Sequence, residues 1–228
     1  MKVAFIKNCN IDDLTKNRYG ETDDLIAVAF GVAGDVSGQT EINGKTDVIT
    51  RLAKYSEQCK NVIIAGINFD LFGIERKSAV VIDSGRLCGI SDSVYASEKD
   101  ELSSSNVINV YETSRGKIGV VVDKDIYHFE IAHALRLYGA DFLVGIVDEN
   151  MSESLYSHVS CTSEDRGIAV ICAARDCSLM GHCRCGLDFD LKTPFCENDV
   201  NTKLSEGLTC KSSLFKTIYK KLSGKNLK

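Results

Sequence analysis

Apolar residues fall along the chain in short, nearly unbroken runs set between polar turns. Residues 2–6, 25–30, 62–67, 78–82, 117–122, 142–147 and 168–174 are rich in Val, Ile and Ala with little alternation. That is the composition of strands covered on both faces. Other stretches show helical spacing instead. In 46–59, Val48, Ile49, Leu52, Ala53 and Tyr55 fall mostly on one side; in 126–138, Ile126, Phe129, Ala132 or His133, and Leu135 or Leu137 recur at three- and four-residue steps. Residues 151–160 and 212–222 are further helix candidates. Asp83-Ser84-Gly85 is a hairpin signal, with 86–90 as the returning strand, and 107–112 reads as an edge strand. Residues 8–22, 31–38 and 100–106 read as polar connections, and 175–209 as loops and short strands. Strands alternate with helices and hairpins, without a repeat or a linker. The pattern predicts one α/β domain over residues 1–228.

The pattern is sharpest at 116–141, GKIGVVVDKDIYHFEIAHALRLYGAD. Its strand ends abruptly in Asp123, Lys124 and Asp125. The helix that follows is expected to be capped by Asp125 and ended at Gly139. A strand, tight turn, helix and next strand put the first turn at the carboxyl edge of the sheet, where α/β proteins build their sites. Asp123 occupies that turn.

Composition narrows the setting. The chain has 228 residues, a net charge of −5 and 26% charged residues, which is not a nucleic-acid footprint. No stretch reaches the roughly 18 apolar residues of a membrane span. The start, MKVAFIKNCNIDD, reads as a first strand and not a signal peptide. The expected location is cytoplasmic, where the ten cysteines would be reduced thiols and Cys172 a small core hydrophobe. The cluster Cys177, Cys183 and Cys185, with His182 and Cys196 nearby, matches neither zinc pairs nor iron–sulfur runs, so no metal and no cofactor is expected. Asp123, Asp125 and Glu130 form a loose acidic group, for which turn and cap roles are expected over cation binding.

The 116–141 stretch resembles the nucleophile segment of the nitrilase (carbon–nitrogen hydrolase) superfamily. That pattern runs G-V-x-I-C-Y-D-x-R-F-P-E, then A-R-x-L-x-x-x-G-A-D. Gly119, Val120, Val122, Asp125, Glu130, Ala134, Leu135, Gly139, Ala140 and Asp141 fall on it. The family's catalytic cysteine slot holds Asp123, and the tyrosine slot after it holds Lys124. The family's second strand ends in V-F-P-E, with the glutamate as general base; that slot falls near Phe30, and no acid occurs between Leu25 and Gly34. SAVVIDSGRLCGISDSV resembles N-T-A-x-V-I-D-x-x-G-x-x-x-x-Y-R-K and sets the expected lysine at or beside Ser93. Of the lysines nearest in sequence, Lys77, Lys99 and Lys124, only Lys124 is expected to border the site.

The resemblance implies a nitrilase-like four-layer α-β-β-α sandwich and a homodimer formed through the 126–138 helix. In the family a thiolate attacks the amide or nitrile carbon, the glutamate moves protons and the lysine stabilises developing charge. Losing a nucleophile alone costs a hydrolase on the order of 10⁶ in turnover. The empty slots therefore imply no catalytic residues and a non-catalytic binding or assembly protein. Asp123, Ser93, Phe30, Lys124 and Glu130 would form a vestigial pocket for a small-molecule ligand. The competing expectation is an amide hydrolase with a site remodelled on Asp123 and Glu130, or on a relocated cysteine such as Cys88.

Overall fold

A computed structural model of the chain describes residues 1–7, 9–18, 21–95, 103–176, 178–181 and 190–192. They belong to one compact unit, Met1–Pro194. Cys177, Cys183, Cys185, Cys196, Lys99 and the helix expected over 212–222 lie outside the described residues.

The amino-terminal half runs β1 (Lys2–Ile6), α1 (Ile11–Lys16), β2 (Leu25–Val28), β3 (Asp35–Ser37), α2 (Gly38–Ile42) and α3 (Val48–Cys59). The long hairpin β4 (Val62–Leu71) and β5 (Ile74–Asp83) follows, then β6 (Arg86–Asp92). The second half runs β7 (Val110–Thr113), β8 (Gly116–Val122), α4 (Phe129–Leu137), β9 (Phe142–Ile146), α5 (Glu153–Arg166) and β10 (Ala169–Ala173). Short strands β11 (Ser178–Gly181) and β12 (Asp190–Lys192) complete it.

The strands form two sheets. One has the order β12-β1-β2-β4-β5-β6, with β3 pairing with the far part of β4. The other has the order β11-β10-β9-β8-β7, in which β8, β9 and β10 are parallel and β7 and β11 antiparallel. Alternate residues of each strand go to different cores. Phe5, Ala27, Ile64 and Val81 of the first sheet meet Val120, Val144 and Ile171 of the second in a core between the sheets. Ile6, Val28, Ile63 and Ile82 face outward onto Leu14 of α1 and Leu52 and Tyr55 of α3. Val121, Leu143 and Val170 face outward onto Leu135 of α4 and Leu155 and Val159 of α5. The result is an α-β-β-α sandwich, and the continuous apolar runs exist because each central strand is covered twice. Gly119 lets α4 come close: a Cβ there would sit 2.6 Å from Leu143 and 3.1 Å from the Leu135 Cβ.

Local departures from expectation have identifiable causes. Residues 31–38, expected as a loop, contain β3, and the short helix α2 follows directly. β4 and β5 extend beyond their apolar runs to a tight turn at Phe72 (φ 56°) and Gly73 (φ 79°), the conformation of a primed hairpin turn. The helix expected from Ile126 begins later: Asp123–Tyr127 is a 3₁₀ turn, and α4 starts at Phe129, which is exposed. Among the described residues no helix is long and apolar enough to cross a membrane.

Candidate functional site

The parallel strands of the second sheet deliver a charge each at their carboxyl ends: Asp123 after β8, Asp148 after β9 and Arg175 after β10. Asp123 adopts the left-handed backbone (φ 50°), which aspartate tolerates better than most residues. Its side chain is only 4% exposed. The ion that meets it comes from the other sheet. Lys77 of β5 lies on the same strand face as Ala79 and Val81, and so points toward the second sheet. Its Nζ is 3.1 Å from Asp123 Oδ2 and 3.1 Å from Asp148 Oδ2. The Asp148 backbone N–H donates to Asp123 Oδ1 at 3.1 Å, and Arg175 Nε donates to Asp148 Oδ1. Burial pulls the Lys77 ammonium down, but the two carboxylates outweigh it and hold its pKa above the ordinary lysine value.

The lysine beside this turn is therefore Lys77, not Lys124. Lys124 points to the periphery, where its Nζ pairs with Glu149 at 2.8 Å and Tyr127 also donates to Glu149. The available signal was strand parity, which puts Lys77 on the inner face; alignment along the chain pointed to Ser93 instead.

Ser93 is buried but meets a different carboxylate. Its hydroxyl donates to Asp125 Oδ1 at 3.2 Å, and Asp125 also accepts the N–H groups of Val94 (2.9 Å) and Tyr95 (2.8 Å). Asp125 is thus not the cap of α4. It fastens the turn after β8 to the chain leaving β6, and the preceding residue of α4, His128, makes no side-chain cap. Burial pushes the Asp125 carboxyl above its usual range despite these donors.

Glu130 is exposed and turns outward. It accepts from the Tyr95 hydroxyl at 3.1 Å and lies 3.5 Å from His128, whose ring stacks on Tyr95. Its partners are Tyr95 and His128, not Asp123, so the two acids do not form an acid–base pair. Phe30 is buried in the core between the sheets. Its ring fills the space over Gly66, where a Cβ would come within 2.9 Å of it. Cys88 packs at the margin of the same core, with its thiol pushed up by burial, and shows no base beside it. Among the described residues no group of His, Cys, Asp or Glu side chains converges as a metal site.

The turn after β8 thus presents a carboxylate with both oxygens engaged and an amine shared between two carboxylates. A protonated amine stabilises charge but does not attack. A carboxylate attacking an amide carbon would form a mixed anhydride, a poor intermediate for this chemistry.

No family model and no curated protein sequence matches the chain. Solved structures do match. A carbon–nitrogen hydrolase from Helicobacter pylori G27 superposes with a TM-score of 0.63 at 15% identity, covering 75% of this chain and 72% of that one. Nit3 of Saccharomyces cerevisiae, of branch 10 of the nitrilase superfamily, gives 0.62 at 13% identity, covering 74% and 71%. An amidase, NitN, from Nesterenkonia sp. AN1 gives 0.61 at 16% identity, covering 75% and 77%. The chain has the nitrilase fold.

Proposed function

We propose that this is a nitrilase-fold protein whose catalytic position has been turned over to structure, and that it works as a non-catalytic binding or assembly protein. The observation that carries the reading is the buried Lys77–Asp123–Asp148 cluster at the strand ends. A variant of the Nesterenkonia amidase carries acrylamide added at its active-site cysteine; the turn that the sequence resemblance aligns with such a nucleophile here holds a carboxylate already bound to an amine. Phe30, at the position the resemblance assigns to a base, moves no proton. An assembly role as a homodimer draws on α4 and its C-cap, where Phe129, Leu137 and Tyr138 are 61%, 73% and 68% exposed. Ligand binding and a cytoplasmic setting belong to the same proposal.

Purified protein incubated with aliphatic amides, nitriles and carbamoyl compounds should give no ammonia above background, and acrylamide should leave residue 123 unlabelled in a peptide map. Hydrolysis that disappears in a folded Asp123→Ala variant would overturn the proposal and make the protein an amide hydrolase with a remodelled site.

A further inference from the structure

The outward face of α4 has a symmetry of its own. The helix is nine residues long and buries Ile131, Ala132 and Leu135, which leaves His133, its middle residue, at the centre of the exposed face. Residues three and four apart share a helix face. Four before His133 stands Phe129 and four after it Leu137, two of the most exposed large apolar side chains described. Three before it stands Glu130 and three after it Arg136, both exposed and opposite in charge. Arg166 of α5 steadies one end, its guanidinium carbon 5.0 Å from the centre of the Phe129 ring.

Such a face complements itself in one direction. Laid antiparallel on a second copy, Phe129 comes level with Leu137 of that copy, and Glu130 with its Arg136. Parallel pairing would instead bring Glu130 level with Glu130 and Arg136 with Arg136. A two-fold axis makes the same patch serve both sides, and a residue on the axis meets itself. Here that residue is His133. Histidine gains a charge between about pH 8 and pH 5, so two of them across the axis pass from neutral neighbours to repelling ones. The charged groups placed around this face do not offset that. Glu130 is already engaged by Tyr95 and His128, and Arg136 and Arg166 are cations. The pair therefore takes up protons less readily than two separated copies, and acid favours separation.

We propose that two copies of this chain pair antiparallel through α4 about an axis at His133, and that protonation of the two apposed imidazoles releases them. This rests on the assembly reading of α4 given above and adds to it a register and a control by pH.

The test is sedimentation velocity of the intact protein over a concentration series at about pH 8 and about pH 5.5. A dimer is expected at the higher pH, with a dissociation constant at least about tenfold larger at the lower one. His133→Gln, an exposed substitution that leaves the core untouched, should stay dimeric and lose that pH dependence. His133→Cys reports the register directly: mild oxidation should join two copies through residue 133, read by peptide mapping. A monomer at every pH would overturn the assembly reading and this inference together. A dimer indifferent to pH, an unchanged pH dependence in His133→Gln, or no bond between the two residues 133 would leave the assembly reading standing and overturn this inference alone.

Discussion

Asp123 and Asp125 stand two residues apart in one turn and are equally buried, each 3% exposed, yet they are satisfied in opposite ways. Asp123 meets a full opposite charge that crosses from the other sheet, plus one backbone N–H. Asp125 meets only neutral donors from the chain just past β6. The first arrangement fastens sheet to sheet through an ion pair that replaces lost hydration with Coulomb attraction. The second fastens a loop to a turn through dipoles. Depth of burial alone does not define a carboxylate's role; the charge of what faces it does.

Removing the charge partner is the harshest way to test this contrast. Lys77→Met leaves Asp123 and Asp148 buried without their shared amine, and should cost about 3–5 kcal/mol in urea unfolding. Adding Asp123→Leu should recover most of it, since Asp148 keeps Arg175; failure to recover would mean the pair is not the cause. Lys77 has a raised folded pKa, so its contribution is complete at neutral pH and is lost only as pH climbs past the ordinary lysine range and through the higher folded value.

Asp125 should respond differently. Asp125→Ala strands the N–H groups of Val94 and Tyr95, while the Ser93 hydroxyl keeps the Tyr95 carbonyl, and should cost about 3 kcal/mol by the same measurement. Asp125→Asn keeps an acceptor and sharpens the comparison through pH. The Asp125 pKa is raised, so the group's contribution is greatest below the ordinary aspartate value and is lost as pH rises through the folded one. The uncharged variant should therefore gain on the native chain as pH rises from the ordinary aspartate range through the raised folded value. At the periphery, Lys124→Ala breaks a partly exposed pair with Glu149 and should cost only about 0.5 kcal/mol. A larger loss would return Lys124 to the core of the site.

The architecture was largely legible in the sequence, because strands covered twice cannot hide their composition. β8, β9 and β10 sit within a residue or two of the expected runs, and the Asp83-Ser84-Gly85 turn joins β5 to β6. What the sequence concealed were relations between elements. Lys77 meets Asp123 only because β5 and β8 belong to sheets that face each other, a fact absent from spacing along the chain. Asp125 looked like a helix cap because helix starts favour aspartate, yet its oxygens were claimed by Val94 and Tyr95, some thirty residues earlier. β3 and α2 escaped notice because so short a strand, Asp35–Ser37, carries no periodicity to read.

The ring of Phe30 seated over Gly66 makes each of these two positions depend on the other. A carboxylate installed at position 30 would enter a greasy slot moulded to an aromatic, with a void left above the glycine. A side chain added at position 66 would in turn need the ring gone, since its Cβ would come within 2.9 Å of it. The two positions therefore change together or not at all, a lock set by how two residues nest.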